Sequence, residues 1–499
     1  MGAPTPLADP DLVDRLRDDL DAAGYTVDGL AELLGPVASA ALDREQTLPA
    51  RRVALASSAP AAVLLRLFVL GDPVDEAEVA AALPTLGVAG ARRLRLVAQE
   101  GDALVAGCDL RPYAAGEQGW WVASDLSEVA TRRPLEVDHV LGIGGASTTL
   151  ASWTPRPQVA RALDLGTGCG VQALHLDAHV EQVVATDLSE RALAFARLNA
   201  ALAGSDWTLR AGSMLDPVAG ERFGLIVSNP PFVITPRTAG VPLFEYRDGG
   251  AAGDTVVAEL VRGVGEHLEP GGIAQLLGNW EVGEGEDWRD RVQGWLEGTG
   301  LDAWVVQREL QDPAQYAETW ARDGGHHPGT AAFAAMYAAW LDDFAARGVV
   351  AIGFGVITLQ RPEREREPFR ELVEVTGPVE QPMGPAVLRG LRTRTWLTEH
   401  ADEELLAVRW SAAPDVTEER HGRPGEEDPA VILVRQGGGL RRAVRLGTAA
   451  AAYLSVADGE LPAGVAIDAI AELLGREARD VRDEVLPTLR ELVADGLLV

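Results

Sequence analysis

The sequence predicts an α/β fold in which a doubly wound, parallel sheet is flanked by N- and C-terminal mainly helical, winged-helix-like parts. Three observations carry this. From about residue 160 to residue 360, short apolar runs alternate with helical patterns, as in successive β-α-β units. The first of those runs ends in a glycine-rich turn that opens a helix. Both ends of the chain carry trios of short helical patterns beside alternating or apolar runs.

In chain order, residues 1–150 read as a helical, winged-helix-like recognition domain. Asp11 to Ala22 and Asp28 to Leu34 have helical spacing, each opening on an aspartate suited to cap it. Pro60 to Leu70, Asp75 to Leu83 and Leu86 to Arg93 form a helical trio, and Arg93 to Gln99 and Ala103 to Asp109 alternate as a two-stranded ribbon would.

Residues 151–360 form the α/β domain. Its strand candidates are Ala162 to Leu165, Gln182 to Thr186, Trp207 to Arg210, Phe223 to Ser228, Gly272 to Leu277, Leu301 to Val306 and Val349 to Leu359. Between the last two, Asp312 to Arg347 reads as two helices carrying Tyr316, Trp320, Tyr337 and Trp340, either a hairpin burying its own aromatics or a substrate lid. Arg361 to Arg370 alternates arginine with glutamate and reads as a solvated linker. Residues 361–499 form a C-terminal α+β domain ending in helices at Thr448 to Ala457, Val465 to Leu474 and Ala478 to Ala494.

Composition narrows the function classes. The chain has 499 residues, 47% of them apolar, which suffices for several cores and excludes disorder for most of its length. It contains no lysine, and its 44 arginines face 75 acids for a net charge of −31. The three parts carry 22 acids against 12 arginines, 27 against 14, and 26 against 18, so none is basic. Duplex nucleic-acid binders gain affinity by neutralising phosphates, which this balance disfavours. Cys108 and Cys169 stand alone, so no disulfide framework or zinc site is expected. His326 and His327 lie between glycines without spaced partners and read as loop residues, so no metal is expected. The N-terminus lacks a signal pattern and Ala61 to Leu70 is too short to span a bilayer, which points to a cytoplasmic protein with no membrane partner.

The first strand runs into Asp164-Leu165-Gly166-Thr167-Gly168-Cys169-Gly170, where glycines let backbone approach a ligand closely. Dinucleotide folds use such a turn too. Asp164, two positions before the first glycine, would repel a pyrophosphate but suits a cationic ligand, which favours S-adenosylmethionine over NAD. The next strand ends at Asp187 and Leu188, where a carboxylate can accept from ribose hydroxyls. After the third strand, Ser213 can accept from an adenine amino group and Met214 can pack on its ring. The plainer alternatives are a turn aspartate at Asp164 and a helix cap at Asp187.

The most specific feature is Ser228-Asn229-Pro230-Pro231-Phe232, directly after the fourth strand. Two prolines fix φ and offer no N–H, leaving carbonyls as acceptors beside a carboxamide and an aromatic ring. That set forms a slot for a flat NH₂ group, with Phe232 stacked on it. Amide and exocyclic amine nitrogens are poor nucleophiles because their lone pair is delocalised. Acceptors from Asn229 Oδ1 and the Pro230 carbonyl would bind both N–H groups and favour a pyramidal nitrogen, an interaction realised mainly in the transition state. The plainer alternative is a turn followed by a core aromatic.

These residues resemble the class I, Rossmann-like S-adenosylmethionine-dependent N-methyltransferases with an Asn-Pro-Pro-(Tyr/Phe) motif. That group includes the release-factor glutamine, ribosomal RNA guanine-N2 and DNA adenine-N6 methyltransferases. The resemblance covers Ala160 to Gln360. Asn229-Pro-Pro-Phe-Val-Ile-Thr-Pro236 looks most like the eukaryotic and archaeal release-factor branch, and Asp248-Gly249-Gly250 with Gly253-Asp254 is similar to the Gly-Gly-x-Asp-Gly stretch of release-factor enzymes. Phe232 replaces that branch's usual tyrosine, and Ser213 stands where an aspartate is common. The resemblance also implies a hydroxyl near the methionine end of the cofactor, from Ser147, Thr148 or Thr149.

The function this implies is methylation of a planar NH₂ group, with a glutamine amide in a protein, such as a translation factor, as the favoured acceptor. An RNA exocyclic amine is the alternative, supported by the helical flanks and by Arg435, Arg441, Arg442 and Arg445. A free small amine, as in natural-product tailoring, is a third acceptor, and a cofactor-binding interaction protein without turnover is a reading of a different class. The sequence does not specify an oligomeric state.

Overall fold

The computed structural model describes residues 5–131, 135–238, 243–326, 328–425 and 429–499. Eight strands form one sheet: β1 (Val159–Leu165), β2 (Val180–Asp187), β3 (Thr208–Ala211), β4 (Phe223–Ser228), β5 (Leu268–Gly283), β6 (Asp302–Gln311), β7 (Val349–Gln360) and β8 (Arg370–Glu374). Their order is β8-β6-β7-β5-β4-β1-β2-β3. The pairings β1 with β2 and β4, β2 with β3, β4 with β5 and β6 with β8 are parallel. All seven expected strands are present. β4 is buried at all six positions, as expected of a central strand covered on both faces.

The eighth strand follows the charged run. Arg361 to Pro368 carries no regular structure, but Arg370 to Glu374 adds to the sheet edge beside β6. Half-exposed and mixed in polarity, it lacks the apolar run of a central strand and has the short, charged character of an edge.

The strand order reverses at β1, whose neighbours β2 and β4 lead the chain in opposite directions, and such a switch point opens a crevice at the carboxyl ends of the strands. Register aligns the exits. Leu165 on β1 pairs with Thr186 on β2 and Ser228 on β4, and Asp187 pairs with Ala211 on β3. Four loops therefore leave the sheet at one level.

The chain divides into two compact units. One comprises Met1–Leu150, Gln158–Thr299 and Glu309–Gly355; the other comprises Ala151–Pro157, Gly300–Arg308 and Val356–Val499. In the first, helices Pro10–Ala22 and Val27–Leu42 match the expected pair, but the caps differ. Asp9 precedes the first helix without a side-chain bond to its N–H groups, pairing instead with Arg93, and Thr26, not Asp28, accepts from Gly29 N at the second. The helical trio is present at Pro60–Val69, Glu76–Ala82 and Gly87–Arg93, with strands Val74–Asp75, Val97–Glu100 and Ala103–Ala106 forming a small sheet in the order first, third, second. An unforeseen hairpin, Asp109–Ala115 with Gln118–Ser124, follows.

In the second unit, helices Thr448–Ser455, Ala463–Leu473 and Ala478–Ala494 bury Tyr453, Ile467, Val485 and Leu489, and an antiparallel sheet is built from Thr417–His421, Val431–Arg435 and Ala443–Leu446. The arginine cluster on that sheet is partly neutralised. Arg435 pairs with Glu419, and Arg442 with Asp495, Glu491 and Glu371.

Candidate active site

The loop after β1 is built by hydrogen bonds that the glycines permit. Gly166 N and Thr167 N both donate to Thr186 O at 2.9 Å, and Gly170 N donates to Thr167 O at 2.8 Å. Gly170 has φ 93° and precedes helix α1 (Val171–Asp177); a Cβ there would meet the Trp207 ring at 2.6 Å, so any larger residue would be strained and would have to displace that ring.

Asp164 is 1% exposed and faces into this loop. Its Oδ2 accepts from Thr167 Oγ1 at 2.6 Å and from Ala173 N at 3.0 Å. Burial pushes its pKa up to about 7, opposed by those two hydrogen bonds and reinforced slightly by the Asp187 charge. Asp164 thus braces the turn from beneath and does not line the cavity above it.

Asp187 ends β2. Its Oδ2 accepts from Gly168 N at 2.8 Å and its Oδ1 from Ser189 N at 2.8 Å, the second bond lying at the start of helix α2 (Glu190–Ala203). Burial raises its pKa, and the backbone N–H groups of Ser189 and Gly168 pull it back. Each carboxylate oxygen retains a lone pair for a ligand hydroxyl.

Asn199 on α2, fully buried, locks the glycine loop to the N-terminal hairpin. Its Nδ2 donates to Cys169 O at 2.7 Å and Ala123 O at 2.8 Å, and its Oδ1 accepts from Ala123 N at 2.7 Å. Cys169 is a buried thiol pushed up to about 12 by burial, which keeps it protonated and inert.

The loop after β4 starts beside this turn, because Ser228 Oγ donates to Leu165 O at 2.7 Å. Asn229 Oδ1 is buried with no hydrogen-bond donor among the described residues. Such an acceptor costs about 1–3 kcal/mol unless a ligand satisfies it. Beyond it, Phe232 bridges to Asp248, and Val233 N donates to Arg247 O at 2.9 Å. Asp248 closes its own loop by accepting from Thr235 Oγ1 and from Phe244 N, and burial raises its pKa. A Cβ on Gly249 would meet the Pro231 carbonyl at 2.7 Å, so glycine lets the two loops pack.

These loops surround a cavity of about 280 Å³. Of the expected residues, Gly166, Thr167, Gly168, Asp187, Leu188, Ser213, Met214, Asn229 and Pro231 line it. Leu188 is 72% exposed, at the rim. Met214 adopts φ 44°, an uncommon conformation for a side chain other than glycine or asparagine. Asp164, Gly170, Pro230 and Phe232 do not line it, and Phe232 is half-buried. Ser147 lines the cavity, in helix Gly145–Trp153, and its carbonyl accepts from Gln172 Nε2 at 2.8 Å.

Sequence reasoning missed the Asp138 to Gly142 stretch and Glu245 and Tyr246, which complete the lining. Only Asp248-Gly249-Gly250 hinted at the second. His327 lies outside the described residues, and among the described residues no group of three or more His, Cys, Asp or Glu side chains could hold a metal ion. No helix among them is long and apolar enough to cross a membrane.

A cavity at the carboxyl ends of the central strands, rimmed by a glycine turn, an acid ending β2 and an Asn-Pro-Pro-Phe loop ending β4, defines a class I methyltransferase domain. The Methyltransferase small domain family matches residues 142–287, and residues 22–107 match a family described as a Domain of unknown function (DUF7059). The chain is 32% identical over 208 residues to a release factor glutamine methyltransferase of Xylella fastidiosa, covering 40% of this chain and 72% of that protein. A Deinococcus radiodurans protein of the same name is 42% identical over 129 residues, covering 24% and 46%. A tRNA1(Val) (adenine(37)-N6)-methyltransferase of Klebsiella pneumoniae is 31% identical over 185 residues, covering 34% and 71%. The chain belongs to the methyltransferase family that these proteins share.

Proposed function

We propose that this protein is an S-adenosylmethionine-dependent N-methyltransferase whose acceptor is a glutamine side-chain amide in a protein, such as a translation factor. The observation that carries the reading is the buried, donorless Oδ1 of Asn229 in the cavity wall, beside two prolines that have no N–H to fill it. An NH₂ group supplies the missing donor.

The residues fit the cofactor. Gly166, Thr167 and Gly168 would let it approach the backbone, Asp187 would offer lone pairs to ribose hydroxyls, Ser213 and Met214 would hold adenine, and Ser147, which lines the cavity, would offer a hydroxyl to the methionine end. Asp164 and Gly170 act indirectly, by holding the turn. When bound, S-adenosylmethionine supplies an electrophilic methyl group on a sulfonium centre.

Asn229 Oδ1 and the Pro230 carbonyl accept from the two N–H groups of the amide and orient its lone pair, Pro231 fixes the loop, and Phe232 flanks the planar group. The preference for protein rests on the names of the relatives with glutamine acceptors, the absence of a basic domain and the neutralisation of Arg435 and Arg442. The Klebsiella relative favours the second reading, an RNA exocyclic amine. The non-catalytic reading leaves Asn229 Oδ1 without a purpose. We further propose that residues 1–150 and 361–499 are winged-helix-like parts recognising the acceptor, preceding and following in sequence a catalytic domain at 151–360, in a cytoplasmic protein.

Labelled cofactor and a cell lysate test this. Label that survives ribonuclease and is lost with protease is the expected result; the reverse would replace the protein acceptor with RNA, and cofactor binding without any transfer would remove the enzyme.

A further inference from the structure

Helix α3 (Pro313–Asp323) and helix α4 (Ala331–Arg347) form the hairpin between β6 and β7. Their aromatic residues close on one residue just past the Asn-Pro-Pro-Phe motif. Ile234 N donates to Tyr316 Oη at 2.8 Å, and Ile234 O accepts from Trp340 Nε1 at 2.7 Å. All three residues are at most 1% exposed, so these bonds replace water for both polar groups of that residue.

The grip is anchored to the sheet and extends to the site. Tyr316 Oη also accepts from Asn279 Nδ2 of β5 at 3.0 Å, and its ring stacks on Phe354 of β7 at 5.6 Å. Phe232 meets the edges of Trp320 and Phe354 at 6.3 and 6.5 Å. On the other wall, Arg247 Nη1 donates to Trp320 O at 3.0 Å and Asp323 at 2.7 Å, and Tyr246 Oη donates to Asp323 at 2.8 Å. A hairpin that only buried its own aromatics would have no need of these bonds to two loops of the cavity.

We propose that Tyr316 and Trp340 are positioning residues that clamp Ile234 by its N–H and its carbonyl, and so fix where Asn229 and Phe232 stand. The step from Ile234 back to Asn229 is short and stiff, because Pro230 and Pro231 lock φ and Val233 is tied to Arg247 O. The clamp presets the acceptor geometry before the substrate arrives, and a displacement of about 1 Å there costs about 10²-fold in rate. The proposal rests on Asn229 to Phe232 being the catalytic loop.

Tyr316→Phe removes the acceptor and Trp340→Phe the donor, each keeping a ring. Amide exchange in the full-length protein needs no substrate: it should speed by about tenfold or more at Val233 and Ile234, whose N–H groups are bonded to Arg247 O and Tyr316 Oη, with β1 and β4 unchanged. Methyl transfer at saturating cofactor should fall about 10- to 100-fold, with cofactor Kd within about twofold of the parent. Leu296→Ala, at the buried end of helix Trp288–Leu296 and outside both flanks and the cavity lining, is the control for lost stability and should leave turnover unchanged. Unchanged exchange with unchanged turnover overturns the clamp, as does a loss of turnover that Leu296→Ala reproduces. If the parent transfers no methyl to protein, the glutamine reading fails, and exchange alone still decides the clamp.

Discussion

Replacing Asn229 with alanine should move folding stability and turnover in opposite directions. In the parent, Asn229 Oδ1 is buried without a donor, a state that costs about 1–3 kcal/mol. Alanine removes that cost and loses a little packing in a half-buried loop, so the variant should be as stable as the parent or more stable by about 1 kcal/mol. Turnover should fall about 10²- to 10³-fold, the effect of removing one preorganised polar group from a transition state, equivalent to about 3–4 kcal/mol. Cofactor affinity should change less than about threefold, because the glycine turn and Asp187 are untouched. Urea unfolding, calorimetry with S-adenosylmethionine and single-turnover transfer to the labelled acceptor measure the three quantities. A variant less stable by more than about 1 kcal/mol with little change in turnover would show Asn229 to be a structural turn residue and refute the reasoning.

Asp164 has a folded pKa raised to about 7 from 3.8, so its ionisation opposes folding: the parent should lose stability as pH rises from about 4 to 7, by several kcal/mol at most. Asp164→Asn should flatten that part of the stability curve, and parallel slopes in parent and variant would contradict the assignment. Asp187→Ala deprives Gly168 N and Ser189 N of their acceptor and should weaken cofactor binding by about 10²-fold or more in calorimetry, with full folding retained by circular dichroism. Gly170→Ala sets a methyl group against Trp207 at φ 93° and should lower stability by about 1–3 kcal/mol in thermal melts, with cofactor affinity falling alongside.

The central strands were legible because apolar runs such as Phe223 to Val227 sit between turn signals, and a strand buried on both faces has no other way to read. The edge strand Arg370 to Glu374 was not, since a half-exposed edge needs no apolar run. The motifs gave the cavity rim, but proximity in sequence could not separate lining from bracing. Asp164 reads as a ligand from its charge and spacing, yet it turns inward because Thr167 and Ala173 offer it donors at close range. Asn199, Asp138 to Gly142 and Tyr246 come to the site from distant stretches, and a single sequence carries no sign of such long-range packing. The helical hairpin was legible as two aromatic helices; that they grip Ile234 depends on two tertiary hydrogen bonds.

The central claim is that the methyl group lands on an amide nitrogen of a protein. Acid hydrolysis of the labelled acceptor tests it most directly, because an N-methyl amide of glutamine breaks down to glutamate and methylamine. The account predicts that the label leaves the protein as methylamine. Label retained on arginine, lysine or histidine, or recovered in a nucleoside, would contradict it.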